Sequence, residues 1–315
     1  MHRAFGPSIA ALTVVLCAAG AGAAVLVGQG VPVAPPRFAR GACVAYPPSS
    51  GNLGRTVYLD AGHGGPDPGA VGVTRRGATI EEARLTLPVV LDATTLLRAA
   101  GYEVVDSRTR DSSVVRLRRG YVDGGIFTLR GKHADLVARD DCADIARASI
   151  VIGVYFNAGP AQDAGSLTLY DAARPFWRAS RRLARLVQRD VLRTLGSAHR
   201  RVPDDGVHSD VGYGHGLTSA DDAYGHLVLL GPAKKGYLST PTTMPGALIE
   251  PLFITDSAEG SIAASAAGQQ AIARGLLRAV EQYFALAQST RGAAAAAAGR
   301  VRRAAASDHS RLAAR

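Results

Sequence analysis

The apolar stretch VYLDAGHGGPDPGAVG, residues 57–72, ends in an acid, a histidine and a set of glycines. His63 sits just past the strand-like run, between glycines whose missing side chains let an ion or a ligand approach the backbone. An imidazole at that position suits a metal ligand, and it equally suits a structural turn. Glu250 lies inside GALIEPLF, where an acid among apolar residues is costly unless it is paired or functional. Glu82 closes the run Thr79-Ile80-Glu81-Glu82, the spacing of a capping box in which the glutamate reaches back to the threonine amide at a helix start. Pro88 then falls deep in that helix, where it kinks the helix or marks its true start. His215 and His226, in GYGHGLTSADDAYGHLVLLG, read first as loop residues.

These side chains need elements to hold them. Short apolar runs read as buried strands: TVYLD at 56, YEVVDS at 102, SIVIGVYF at 149, SLTLY at 166, HLVLLG at 226 and GALIEPLF at 246. Helical stretches lie between them. In residues 176–195, Phe176, Leu183, Val187 and Val191 share a face, and Arg181, Arg182, Arg185, Arg189 and Arg193 fall elsewhere as a solvated surface. A further helical stretch covers 257–286. This alternation predicts a single α/β domain over residues 55–288, with a largely parallel twisted sheet and helices on both faces. Active groups then belong at the carboxyl ends of strands, on loops. Residues 111–133 have no clean period and read as a long surface loop able to border a cleft.

The ends differ from the middle. Residues 1–28 have a basic start, an apolar run and a small-x-small site at Ala21-Gly22-Ala23, which reads as a cleaved export signal or an uncleaved N-terminal anchor. Residues 29–54 are rich in Pro, Gly and Ser and read as a linker, and the basic, Ala-rich residues 289–315 read as a disordered tail. The net charge of +10 is concentrated at these ends, so the domain itself is nearly neutral and nucleic acid is not the expected partner. In an oxidising compartment Cys43 and Cys142 are either a disulfide or two separately buried thiols.

Four blocks in order carry a family resemblance: LDAGHGGPDPGAVG, EEARLTL followed by a helix into AAGYEVV, ARDDCADIARASIVIGVYFNAG, and MPGALIEPLFITD. Over about 56–283 the chain resembles the zinc-dependent N-acetylmuramoyl-L-alanine amidases. These exported hydrolases cut between the muramic acid lactyl group and the first L-alanine of the peptidoglycan stem peptide. The resemblance implies Zn2+ as cofactor, with His63 as first ligand, Glu82 as the glutamate ligand (Glu81 being one residue away), and Glu250 as catalytic glutamate. It also implies peptidoglycan, stem peptide and glycan, as partner. Where the family has a second histidine ligand, this chain has Tyr155. Three outcomes stand open: Tyr155 coordinates as a phenolate, His215 or His226 substitutes, or the site holds no metal. The expectation is peptidoglycan amide hydrolysis, with a wall-binding or regulatory protein as the alternative.

Overall fold

Alternate residues of the run at 56 face opposite sides of a sheet: Val57, Leu59 and Ala61 enter one core and Tyr58 the other. That two-residue period, apolar on both sides, is what a strand covered on both faces requires. The computed structural model describes residues 30–198, 201–211 and 218–287. Its strands are β1 (Val31–Pro32), β2 (Ala42–Tyr46), β3 (Thr56–Ala61), β4 (Val71–Val73), β5 (Thr79–Glu81), β6 (Glu103–Arg108), β7 (Val122–Asp123), β8 (Ile126–Phe127), β9 (Ile150–Val154), β10 (Ser166–Tyr170), β11 (Asp204–Ser209) and β12 (Gly246–Glu250). Its helices are α1 (Glu82–Ala99), α2 (Leu129–Ile145), α3 (Trp177–Ser197), α4 (Ser219–Tyr224), α5 (Ser257–Ala263) and α6, residues 266–287.

The main sheet has the order β1-β2-β6-β3-β9-β12-β10-β11. Its centre, β6-β3-β9-β12, is parallel throughout, whereas β10 joins β12 antiparallel and carries β11 parallel beside it. α1, α3 and α6 bury their apolar faces on one side. α2 and residues 227–230 cover the other. This is the single α/β domain the sequence implies. On α3, Leu183, Val187 and Val191 are fully buried, and Arg181, Arg182, Arg185, Arg189 and Arg193 are exposed.

Four sequence readings need correction. The segment read as a linker, 29–54, supplies β1 and β2; β2 pairs antiparallel with β6, and Cys43 is disulfide-bonded to Cys142 of α2. Its prolines and glycines flank a five-residue strand, and that strand is too short to stand out from them. HLVLLG forms a turn instead of a strand: Leu227, Leu229 and Leu230 are buried because they cap the sheet face, which needs apolar side chains but no ladder. The expected loop 111–133 contains the β7–β8 hairpin and ends inside α2, whose start is capped by the Thr128 side chain accepting from the Gly131 amide. Pro88 does not mark the start of α1, which begins at Glu82; burial of Leu85, Val89, Val90, Ala93 and Leu97 holds the helix through it. Residues 1–28 and 289–315 lie outside the described residues. Among the described residues, no helix is long and apolar enough to cross a membrane.

Candidate functional site

Parallel neighbours end at the same edge of a sheet. His63 follows β3, Tyr155 follows β9 and Glu250 ends β12, and the ladder pairs Ala61 with Val154 and Val154 with Ile249. The three therefore arrive together at the carboxyl ends of the central strands, where open α/β sheets place their sites. Glu82 joins them as the first residue of α1. The helix start is tied to the glycine-rich loop by backbone bonds from the Glu82 amide to the Ala70 carbonyl and from the Ala83 amide to that of Pro68.

His63 and Glu82 face each other directly, with Nε2 and Oε2 3.0 Å apart. Both residues are buried. Glu82 is not a cap for Thr79: its Oε1 accepts from the Phe156 amide at 2.8 Å and its Oε2 from the Ala70 amide at 2.9 Å. Glu81 is half-buried and pairs with Arg84, so the inward glutamate is Glu82. The glycines have specific work here. A Cβ on Gly69 would come within 2.8 Å of both Glu82 and His63, and one on Gly62 would strike the Tyr155 ring. His63 itself adopts φ 59°, a left-handed conformation that a histidine holds only when its surroundings fix it.

The other imidazole nitrogen, Nδ1, lies 2.9 Å from Asp67 Oδ2, and Lys132 Nζ holds Asp67 Oδ1 at 2.8 Å. A carboxylate on Nδ1 orients the ring so that Nε2 faces Glu82, the arrangement behind many metal-bound histidines. Burial alone would lower the imidazole's pKa, but the Glu82 and Asp67 carboxylates outweigh it and raise it to about 10. Burial works against the charged form of Asp67 as well; there His63 and Lys132 win and hold the carboxyl well below the usual range. Glu250 is pushed up to about 8 by burial and by the nearby charge of Glu82, with His63 acting in the opposite direction.

Tyr155 does not point its hydroxyl into this pair. It donates to Asp60 Oδ2 at 3.0 Å, and its ring meets the His63 ring edge-on with centroids 5.2 Å apart. Burial and the Asp60 carboxylate both raise the phenol's pKa well above 10, which disfavours a phenolate. Arg139 of α2 completes the network, bonding Asp60 Oδ1, Asp135 Oδ2 and the carbonyls of Ala61 and His63. Asp60, Asp67, Lys132 and Arg139 surround His63 and Tyr155, and the motif reading leaves them unassigned. Asp60 had a signal: like Glu250, it is an acid closing an apolar run. A narrow cleft beside His63 is lined by Asp67, Phe127, Lys132, Tyr155 and Thr218, which places part of the 111–133 segment at its border.

A zinc ion takes imidazole and carboxylate donors, and His63 Nε2 with Glu82 Oε2 fits as two of them. The third protein donor of a catalytic zinc is not supplied by Tyr155, whose hydroxyl is committed to Asp60. His226 does not supply it either, pairing instead with Asp171 at 2.8 Å, and His215 lies outside the described residues.

The profile of one protein family, described as N-acetylmuramoyl-L-alanine amidase, matches residues 57–282, well over half of the chain. The chain belongs to the N-acetylmuramoyl-L-alanine amidase family. Members of this amidase family are hydrolases of cell-wall peptidoglycan. The germination-specific N-acetylmuramoyl-L-alanine amidase of Bacillus subtilis is 26% identical over 233 residues, covering 73% of this chain and 80% of that protein. Among solved structures, the CwlD amidase of Clostridioides difficile, determined in complex with the GerS lipoprotein, aligns with TM-score 0.55 and 21% identity over 74% of this chain and 99% of that one. The catalytic domain of CwlV, an amidase of Bacillus (Paenibacillus) polymyxa var. colistinus, aligns with TM-score 0.50 and 20% identity over 73% and 98%. At these identities the structural likenesses establish the amidase fold.

Proposed function

We propose that this amidase-family chain hydrolyses the amide bond between N-acetylmuramic acid and the L-alanine of the stem peptide, outside the cytoplasm. The observation that carries the proposal is the convergence of His63 and Glu82 at 3.0 Å beside a buried Glu250. Zinc, held by His63 and Glu82, would supply a Lewis acid for the scissile carbonyl. Glu250 acts as general base, taking a proton from the attacking water and passing it to the departing alanine nitrogen. A carboxyl with pKa about 8 suits both halves of that transfer near neutral pH. Asp67 orients the imidazole, and Lys132 holds Asp67. The Cys43–Cys142 disulfide supports an oxidising compartment, consistent with an export signal or anchor at the N-terminus.

One observation favours a second reading, that the chain binds peptidoglycan or regulates wall hydrolysis without turnover: the Tyr155 hydroxyl is spent on Asp60 where the family places a ligand. Incubating the purified chain with a muramyl peptide, with and without added zinc, separates the two. Release of peptide with a free N-terminal alanine, slow in the native chain and faster in Tyr155→His, is the expected result. No release at any metal concentration, with the muramyl peptide still bound, would establish the binder instead.

A further inference from the structure

A second cluster of ligand atoms lies at the opposite end of the sheet. β10 runs antiparallel to β12 with Leu167 opposite Glu250, so Asp171, just past the end of β10, is four residues along, about 13 Å from that row. Asp210 follows β11, the parallel neighbour of β10, so two adjacent strand ends deliver two carboxylates side by side. His226 comes from the turn after α4. Each of the three presents a ligand atom within 4.8 Å of the others.

Burial makes this cluster costly as it stands. Asp171 is 1% and Asp210 0% exposed. Asp171 Oδ2, Asp210 Oδ1 and His226 Nδ1 all lack a hydrogen bond, although Nδ1 lies 2.8 Å from Asp171 Oδ2 and 3.8 Å from Asp210 Oδ2. The remaining carboxylate oxygens are in use: Asp171 Oδ1 accepts from the Ala173 amide and Asp210 Oδ2 from the Leu227 amide. The nearby cation does not neutralise the pair by contact, because Arg174 gives its guanidinium to the carbonyls of Leu230, Gly231 and Thr242. Buried acids with free oxygens aimed at one point are satisfied most completely by a cation.

We propose that Asp171, Asp210 and His226 bind a divalent transition-metal ion, zinc in the first instance, at a structural site separate from the His63–Glu82 pair. One imidazole and two carboxylates form a mixed nitrogen and oxygen set of the kind zinc accepts, and a dication cancels the two carboxylate charges. His226 is the partly exposed member, leaving room for water as a fourth ligand. The ion ties both ends of the Asp210–His226 segment to the end of β10. That segment carries Thr218, which lines the cleft beside His63, so the ion holds one wall of the cleft from behind.

The test is zinc content of the full chain, purified without a metal-chelating tag or column, measured for the native protein, for His63→Ala, and for His63→Ala carrying Asp210→Asn and His226→Ala as well. The expected result is about one zinc retained in His63→Ala and lost once Asp210→Asn and His226→Ala are added to it. Anomalous scattering at the zinc edge, in crystals of His63→Ala soaked with zinc, should place a peak between Asp171, Asp210 and His226. Melting of His63→Ala should rise by several degrees with zinc, and adding Asp210→Asn to that variant, a change that keeps the shape of the side chain, should remove most of the response. No zinc in His63→Ala, no peak at the cluster, or equal zinc responses of the melting temperature in His63→Ala with and without Asp210→Asn would each overturn the site, whatever the outcome at His63 and Glu82.

Discussion

Tyr155 donates its hydroxyl to Asp60 Oδ2 across 3.0 Å, and Arg139 Nη1 holds the other oxygen of the same carboxylate at 2.6 Å. Tyr155 is thereby built into a buried ion network between β3, β9 and α2. Tyr155→Phe should therefore leave zinc content unchanged and lower stability by about 1–3 kcal/mol, the cost of removing one hydrogen bond to a buried charge. Denaturant unfolding and metal analysis on the same sample check this; zinc lost with the hydroxyl would make the phenol a ligand.

Glu250 gives a prediction in pH. A base with pKa about 8 is mostly protonated at pH 6, so kcat/KM for a muramyl peptide should climb roughly tenfold per unit below pH 8 and level off above it. Glu250→Gln should reduce the rate by about 100-fold or more and abolish that limb. A rate profile in which the limb survives the substitution would assign it to another group.

Asp106 should shape stability as Glu250 shapes rate. It is fully buried with Oδ2 unpaired, and burial raises its carboxyl to about 8 against the bond from Thr94 and the charge of Arg98. Between the unfolded value near 4 and about 8 the folded state binds the extra proton, so this group makes stability fall as pH rises through that window. Asp106→Asn should remove that share of the slope, on the order of 4 kcal/mol between pH 5 and 8. Chemical denaturation of both proteins at several pH values reads it directly.

The disulfide predicts a redox dependence. Cys43 and Cys142 are 99 residues apart in sequence, so their bond constrains a long loop in the unfolded chain. The double variant Cys43→Ser, Cys142→Ser should lose about 3–5 kcal/mol and melt well below the oxidised protein. Reductant should lower the melting temperature of the native chain and leave that of the variant unchanged.

Much of the fold is legible in residue order. The runs at 56, 102, 149, 166 and 246 are apolar on both sides because helices cover both faces of the sheet, and that pattern needs no partner to be read. β2 was hidden because Ala42–Tyr46 is short and set among prolines and glycines; only pairing with β6 makes it a strand. HLVLLG misled for the opposite reason, since burial and strand pairing leave the same mark on four apolar residues.

The sequence by itself singled out three residues: His63 among glycines, Glu82 at a helix start and Glu250 in an apolar run each carry a local cost or constraint visible in one dimension. Only the tertiary structure decided what those residues face. The parallel register of β3, β9 and β12 puts them at one edge, the buried Asp60–Arg139 pair claims the Tyr155 hydroxyl, and the reversed β10 carries Asp171 to the far end, beside Asp210 and His226. Partnership between residues 40 to 100 positions apart depends on strand order and direction, which local spacing does not encode.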